Sequence, residues 1–153
     1  FNTNLKVLPP LREQSDTTAL IEGLKDGTID MVMSNHVPLE SEKKKLEFAY
    51  ADFGAIGLET TFAMLNTHLS DLGLSKMVGL LGTEVRRAFD LEPVQIVEKA
   101  KANLTCFVPT KEWTLTKDDL GSKSINTPLL GKQMQGKVLG IVNNGQSLFF
   151  NLP

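Results

Sequence analysis

The chain has 153 residues, of which 41% are hydrophobic and 22% are charged, and its formal net charge is -2. These proportions are typical of an ordinary folded globular domain and exclude a disordered or low-complexity segment. The charge excludes the basic surface that nucleic-acid binding requires. No apolar stretch approaches the roughly 20 residues that cross a bilayer, and the first residues carry no signal-peptide pattern. The sequence therefore predicts a soluble, cytoplasmic protein without a nucleic-acid or membrane partner.

The single cysteine and the one dense basic run each lead to a prediction. Cys106 lies in an apolar run and has no second cysteine to pair with, so we expect a buried small hydrophobe and an intracellular setting. The only dense basic run, Lys43–Lys45, is flanked by Glu40, Glu42 and Glu47. This interleaving of charges predicts a solvated helix face rather than a phosphate site.

The first 34 residues have the pattern strand, helix, strand. Leu5–Leu8 is a short extended segment that two prolines stop. Ser15 or Asp16 can cap the helix that follows, and Gly27 is placed to end it. Ile29–Ser34 is a mostly apolar run of strand length without clean alternation, which is typical of a strand buried on both faces of a parallel sheet. The order predicts an α/β fold.

The middle of the chain is predicted to be helical. Apolar residues recur at near-helical spacing, and these stripes indicate core faces rather than cofactor contacts. The predicted helices are Glu40–Phe48, which is short and exposed, Leu58–Leu69, Leu74–Leu81, one capped by Thr83, and one that begins at Pro93 and runs through Val97.

The texture of the sequence changes near Ala102, where short β-like runs replace the helical spacing. Asn144-Gly145 is a strong signal for a type I′ hairpin turn. We therefore predict a boundary near residue 102, with a helical α/β part at 1–101 and a small β part at 102–153. The predicted strands are Leu104–Val108, Trp113–Leu115, Val138–Val142 and Ser147–Phe150.

Several short motifs, in order and at fixed spacing, carry a family resemblance. They are Pro9–Arg12 (Pro-Pro-Leu-Arg), Asp26–Met33, Ser34–Pro38 (Ser-Asn-His-Val-Pro), Phe53–Thr60 and Asn126–Gly131. The series closely resembles the C-terminal part of dihydroorotases, which are cyclic amidohydrolases of pyrimidine biosynthesis. The resemblance covers essentially the whole chain and implies that 1–101 is the C-terminal portion of a TIM-like amidohydrolase barrel and 102–153 a small β domain.

The resemblance also implies a site, and this chain departs from it at three side chains. The family has Asp-His-Ala-Pro where the aspartate is metal ligand and general base, and that position is Asn35. The family's substrate-binding asparagine and histidine correspond to Leu8 and Leu39. Phe53 and Gly54, whose backbone is implied to contact the pyrimidine, are intact. We expect these five residues to converge on one mouth at the C-terminal ends of the barrel strands.

A metal-bound water and a carboxylate commonly hydrolyse a cyclic amide, and a carboxamide can replace neither group. His36 is predicted to be structural, near the barrel rim, and His68 to lie on the surface. With two histidines and one distant cysteine the chain has no zinc site of its own. The family's metal-binding histidines precede the counterpart of Phe1, so zinc is expected only if a longer, active parent carries them.

Three functions are open at this stage. The first is a non-catalytic dihydroorotase-like protein with a structural role, such as supporting aspartate carbamoyltransferase. The second is a fragment of an active zinc dihydroorotase that hydrolyses dihydroorotate, and the third is a small-ligand binding module. In each case the chain should need a partner surface, either the N-terminal part of the barrel or a second copy, because two barrel strands alone leave unpaired edges.

Overall fold

The computed structural model describes residues 1–150 and has mixed helix and strand content. Two compact units are present. The first comprises Phe1–Ile29, Met33–Thr61 and Thr114–Gln133, and the second comprises Asp30–Val32, Phe62–Trp113 and 134–150. Because the units interleave along the chain, they do not test the predicted boundary at residue 102, which stays a prediction. The helices are α1 Gln14–Asp26, α2 Ser41–Lys44, α3 Thr61–His68, α4 Leu74–Val78 and α5 Glu84–Ala88, and the strands are β1 Leu104–Thr114, β2 Gln133–Asn143 and β3 Gln146–Phe149.

Helix α1 forms where the sequence predicts it, but a different residue caps it. Gly27 ends the helix in the left-handed conformation, with φ 88°. At the other end Glu13, rather than Ser15 or Asp16, stands in the extended cap position. Its N–H donates to the Asp16 carboxylate at 3.2 Å, so Asp16 lies inside the first turn and satisfies the cap from there.

The two strands predicted before residue 35 do not form within the part of the chain that the structure describes. Thr3–Leu5 is a 3-10 turn, and the segment 30–35 has no ladder. A strand forms only where another strand pairs with it over several residues. Here the N–H of Val32 instead donates to the carbonyl of Leu80, in a π-helical turn, at 3.0 Å. In place of the expected parallel sheet, the described residues contain one isolated parallel bridge, between His36 and Ala55.

Helix α2 is shorter than predicted, and the basic run on it is only partly solvated. Lys43 and Lys45 are exposed, as predicted, but the prediction was wrong for Lys44, whose relative exposure is 8%. Its ammonium makes hydrogen bonds inside the first unit that charge patterning could not reveal.

In the second unit α4 and α5 are joined by a π-helical turn, Gly79–Thr83. Leu80 in this turn is fully buried. The helix predicted from Pro93 is absent, and that prediction was wrong. A short helix is stable only when one face is buried, and Ile96 in this segment is 86% exposed.

The strands of the second unit form a sheet in the order β1-β2-β3. β2 and β3 are antiparallel, with Asn143 opposite Gln146. Asn144 and Gly145 both have positive φ, 55° and 77°, which confirms the predicted hairpin turn. The first two predicted strands are one continuous strand, β1.

Two single-residue predictions have different outcomes. His68, the last residue of α3, is exposed, as predicted. Cys106 is also exposed, so the prediction that it is buried was wrong. Alternate side chains of a strand face opposite sides, and an apolar run does not say which of them points outward. No helix within residues 1–150 is long and apolar enough to cross a membrane.

Gly136 in β2 is the tightest glycine of the second unit at positive φ. Its φ is 96°, and an added Cβ would lie 2.9 Å from the Phe62 ring and 3.0 Å from the Asn66 amide. That amide donates to the carbonyl oxygens of Pro109 at 2.8 Å and Gln135 at 3.1 Å, so it cannot move without cost.

We therefore expect Gly136→Ala to lower the free energy of unfolding by about 2 to 4 kcal/mol, from backbone strain and from overpacking. Gly145→Ala is the matched control, because Gly145 has a similar φ of 77° and no atom within 4 Å of an added Cβ. It should cost only about 1 to 2 kcal/mol. Equal losses in urea unfolding would show that crowding at Gly136 is unimportant.

Candidate functional site

Asn35 stands in the left-handed region, with φ 42°, where a short polar side chain is tolerated better than most. Its Nδ2 donates to the carbonyl oxygen of Leu8 at 2.9 Å. The side chain of Asn35 therefore bonds to the backbone of Leu8, the residue that the sequence predicts to lie beside it. An aspartate in the same place would have no donor for this oxygen.

His36 holds the turn that follows. Its Nδ1 accepts from the N–H groups of Gly57 at 3.1 Å and Leu58 at 3.2 Å. Because Nδ1 is the acceptor, the neutral ring carries its hydrogen on Nε2. These contacts agree with the structural role that the sequence predicts for this histidine.

Gly54 packs directly against the segment that carries Leu39. At φ 140° an added Cβ would meet Val37 at 2.6 Å and Leu39 at 3.4 Å, so only glycine fits. The Gly54 N–H donates to the carbonyl of Lys6 at 2.9 Å. This backbone donor is thus already used within the chain.

Asn126 is a residue that the sequence reasoning missed. It is buried, its Oδ1 accepts from the N–H of Leu39 at 3.1 Å, and its Nδ2 donates to Val37 O at 2.9 Å and Gly54 O at 3.3 Å. Its own carbonyl accepts from the N–H of Ile56 at 3.0 Å. The signal was available, because Asn126 opens the motif Asn126–Gly131, but the motif served only to recognise the family.

The five predicted residues, Leu8, Asn35, Leu39, Phe53 and Gly54, all belong to the first unit, and we call them the mouth. Leu8 and Phe53 are 62% and 50% exposed, and Leu39 is half-buried. The structure brings Asn35 against Leu8 and Gly54 against Leu39, while the convergence of all five residues on one site and their role toward a ligand stay predictions. The mouth contains no carboxylate, and its side chains are apolar except for Asn35.

The donor set of the mouth does not fit a zinc ion. Zinc takes thiolate, imidazole and carboxylate ligands, whereas Asn35 offers a carboxamide whose nitrogen faces Leu8. His36 uses Nδ1 as an acceptor for two backbone groups. Among the described residues, 1–150, no three histidine, cysteine, aspartate or glutamate side chains are grouped so that they could hold a metal.

Comparison with known proteins gives a consistent family. No protein-family model matches the chain. The chain is 42% identical over 146 residues to the dihydroorotase of Chlorobaculum tepidum, covering 94% of this chain and 33% of that protein. It is 41% identical over 151 residues to the dihydroorotase of Caldicellulosiruptor saccharolyticus, covering 97% and 35%. The chain thus spans about a third of the length of the curated relatives it matches.

Solved structures of related folds agree. The dihydropyrimidinase of Brevibacillus agri superposes with a TM-score of 0.80 at 23% identity, covering 96% of this chain and 34% of that one. A D-hydantoinase gives a TM-score of 0.81 at 18% identity, with the same coverage. At these identities the likeness concerns the fold alone, and the chain matches about a third of each of these structures.

Asn126→Ala should destabilise the protein by about 2 to 4 kcal/mol, because it leaves the N–H of Leu39 and two carbonyls without their partners. Asn103→Ala removes the same side chain at an exposed position and should stay within about 0.5 kcal/mol. Denaturant unfolding of both variants compares the two losses. A similar, small loss for both would mean that the Asn126 network contributes little.

Proposed function

We propose that this chain, which belongs to the dihydroorotase family as a homologue of its C-terminal segment, is part of a non-catalytic dihydroorotase-like protein. The observation that carries the proposal is the hydrogen bond from Asn35 to the carbonyl of Leu8, 2.9 Å long, at the position of the implied catalytic aspartate. A neutral carboxamide has no basic site with a useful pKa and is a poor metal ligand. It therefore cannot take a proton from a water or return it to a leaving nitrogen.

The neighbouring side chains support the same proposal. Leu8 and Leu39, at the positions implied to bind substrate, offer no hydrogen bonds. The N–H of Gly54 is engaged with Lys6, so a substrate would have to compete for it. A cyclic amide carries several polar groups, and each one that is desolvated without a partner costs about 1 to 3 kcal/mol. The mouth thus disfavours dihydroorotate as well as its hydrolysis.

We propose further that the chain contributes no zinc ligand, and that any zinc in a longer parent would be held by residues outside this chain. The donors support this, because Asn35 in the mouth is a carboxamide and the neighbouring His36 uses Nδ1 to accept from two backbone N–H groups. Zinc content of the intact protein by elemental analysis, compared with an active relative, tests the point.

The proposed role is structural, as a cytoplasmic subunit that supports an assembly such as one with aspartate carbamoyltransferase. Two observations support a need for a partner surface. The curated relatives are about three times as long as this chain. The first unit also carries an apolar groove of about 450 Å³, lined by Phe1, Leu5, Leu11, Phe48 and Phe53 among others. The rest of a barrel or a second copy would remove these rings from water.

The same groove favours a second candidate, a small-ligand binding module. It combines aromatic walls with one cation, Lys6, whose ammonium lies 4.7 Å from the Phe53 ring centroid. Such a site would suit a planar apolar ligand with a carboxylate. Stabilisation of the protein by an aromatic carboxylate such as benzoate, measured as a rise in Tm, would favour this candidate.

Asn35→Asp alone should not restore dihydroorotase activity, even in the full-length parent. The carboxylate would face the Leu8 carbonyl that Asn35 now bonds at 2.9 Å, and Leu8 and Leu39 would still leave the substrate's polar groups unpaired. Two lost contacts imply about 2 to 6 kcal/mol, or roughly thirty-fold to above ten-thousand-fold in kcat/KM. Steady-state assays with added zinc measure this.

The informative variant for comparison is the triple change Leu8→Asn, Asn35→Asp, Leu39→His, in a parent that retains its N-terminal histidines. Asn126 and Gly54 stay unaltered, so the frame of the mouth is common to all variants. Zinc-dependent turnover by the unaltered parent would refute the non-catalytic proposal in favour of an active enzyme. Appreciable turnover by the single variant would show that Leu8 and Leu39 matter less than proposed.

The chain expressed by itself should associate, because the groove leaves large apolar side chains exposed. Leu11→Glu adds a charge to the groove and should shift sedimentation toward monomer, whereas Gln95→Glu adds the same charge at an exposed position outside it and should not. A compact, stable monomer of the unaltered chain at low micromolar concentration would contradict the prediction.

A further inference from the structure

Lys44 places a buried ammonium among backbone carbonyls of the first unit. Its Nζ donates to the carbonyl oxygens of Asp52 at 2.7 Å, Thr3 at 3.0 Å and Lys6 at 3.3 Å. An ammonium has three N–H donors, and all three are used. The Oγ1 of Thr3 in turn donates to the carbonyl of Lys44 at 2.6 Å, so the contact is reciprocal.

This arrangement is costly, which makes its position informative. Burial lowers the pKa of Lys44, repulsion from Lys6 lowers it further, and Asp52 opposes the change. An apolar side chain would fill the same space without that desolvation cost. What an apolar side chain could not do is hold three carbonyl oxygens, two from the turn 3–6 and one from Asp52, at one point.

Both stretches lead directly into the mouth. Asp52 immediately precedes Phe53, and Lys6 lies two residues before Leu8. The carbonyl of Lys6 accepts from Lys44 and also from the N–H of Gly54, at 2.9 Å. Lys44 therefore holds the point at which these two walls of the mouth are joined.

A second ammonium holds the other end of the same loop. Lys6 Nζ donates to the carbonyls of Phe48 and Ala49, both at 2.9 Å, and it lies near the Phe53 ring. The loop 48–54 is thus fixed by one cation at its start and by Lys44 at Asp52. Repulsion between the two cations is tolerated because carbonyl oxygens surround each of them.

We propose that Lys44 is a positioning residue of the mouth, which sets the backbone of Phe53 and Gly54 relative to Leu8 by gathering the carbonyls of Asp52 and Lys6 on one ammonium. Its importance for a ligand rests on the proposed function of the mouth. Its importance for the geometry of the mouth does not.

The test is hydrogen exchange in the intact protein carrying Lys44→Met, which keeps the length of the stem and removes the donors. Exchange of the Gly54 amide should accelerate by about tenfold or more, because its acceptor loses its anchor. Amides of α1, which belong to the same unit but make none of these contacts, should be unchanged. Lys45→Met, an exposed neighbour on the same turn, should leave both sets of amides unchanged.

The location of the amides that exchange faster distinguishes a positioning role from a general contribution to stability. If α1 amides accelerate together with Gly54, or if Gly54 does not accelerate, the proposal is overturned. Should Lys44→Met fail to fold, Lys44→Arg serves the same comparison. It keeps the charge but replaces the compact ammonium by a planar fork, and a smaller acceleration confined to Gly54 is expected. The experiment needs neither ligand nor turnover, so it stands or falls independently of the non-catalytic proposal.

Discussion

The first unit depends on one constraint: its backbone polar groups must be satisfied with almost no strand pairing. Apart from the ends of β1 and β2, the bridge within its described residues joins His36 and Ala55. An unpaired buried peptide group costs as much as a lost hydrogen bond, so side chains must do what a ladder does elsewhere. Asn126 and Lys44 do this, because each brings several backbone groups to a single side chain.

The residues that fix the backbone of the mouth are not the residue at the implied catalytic position. The backbone at Gly54 is fixed by Lys6 and Asn126, neither of which takes part in proton transfer in the proposed scheme. The catalytic position can therefore change without collapse of the walls around it. Under the proposed non-catalytic function, the mouth would keep its backbone outline while Asn35 offers no base, so an assembly role would not depend on the reaction.

The sequence predicted the features that depend on local chemistry. Helix α1 follows from apolar spacing and Gly27, and the hairpin follows from Asn144-Gly145, because these residues encode backbone angles themselves. Leu8 and Asn35 meet although the two strands that the sequence predicts to end at them do not form, so strand order does not explain this contact. The predicted strand Ile29–Ser34 failed because pairing depends on partners far away in sequence. The prediction that Lys44 is solvated failed, because a run of charged residues has the same pattern whether its middle lysine faces water or three carbonyls.

Two local features favour an asparagine at position 35. Asparagine tolerates the φ of 42° there, and its amide gains a donor that an aspartate lacks. With that donor placed on the Leu8 carbonyl, the segments that end at Leu8 and at Asn35 are joined directly. A carboxylate on the same rotamer would set an anionic oxygen against a carbonyl oxygen, so it would have to turn away or find a cation. The side chains at 8 and 39 are leucines, so the mouth supplies no such cation, and the geometry around position 35 favours asparagine over aspartate.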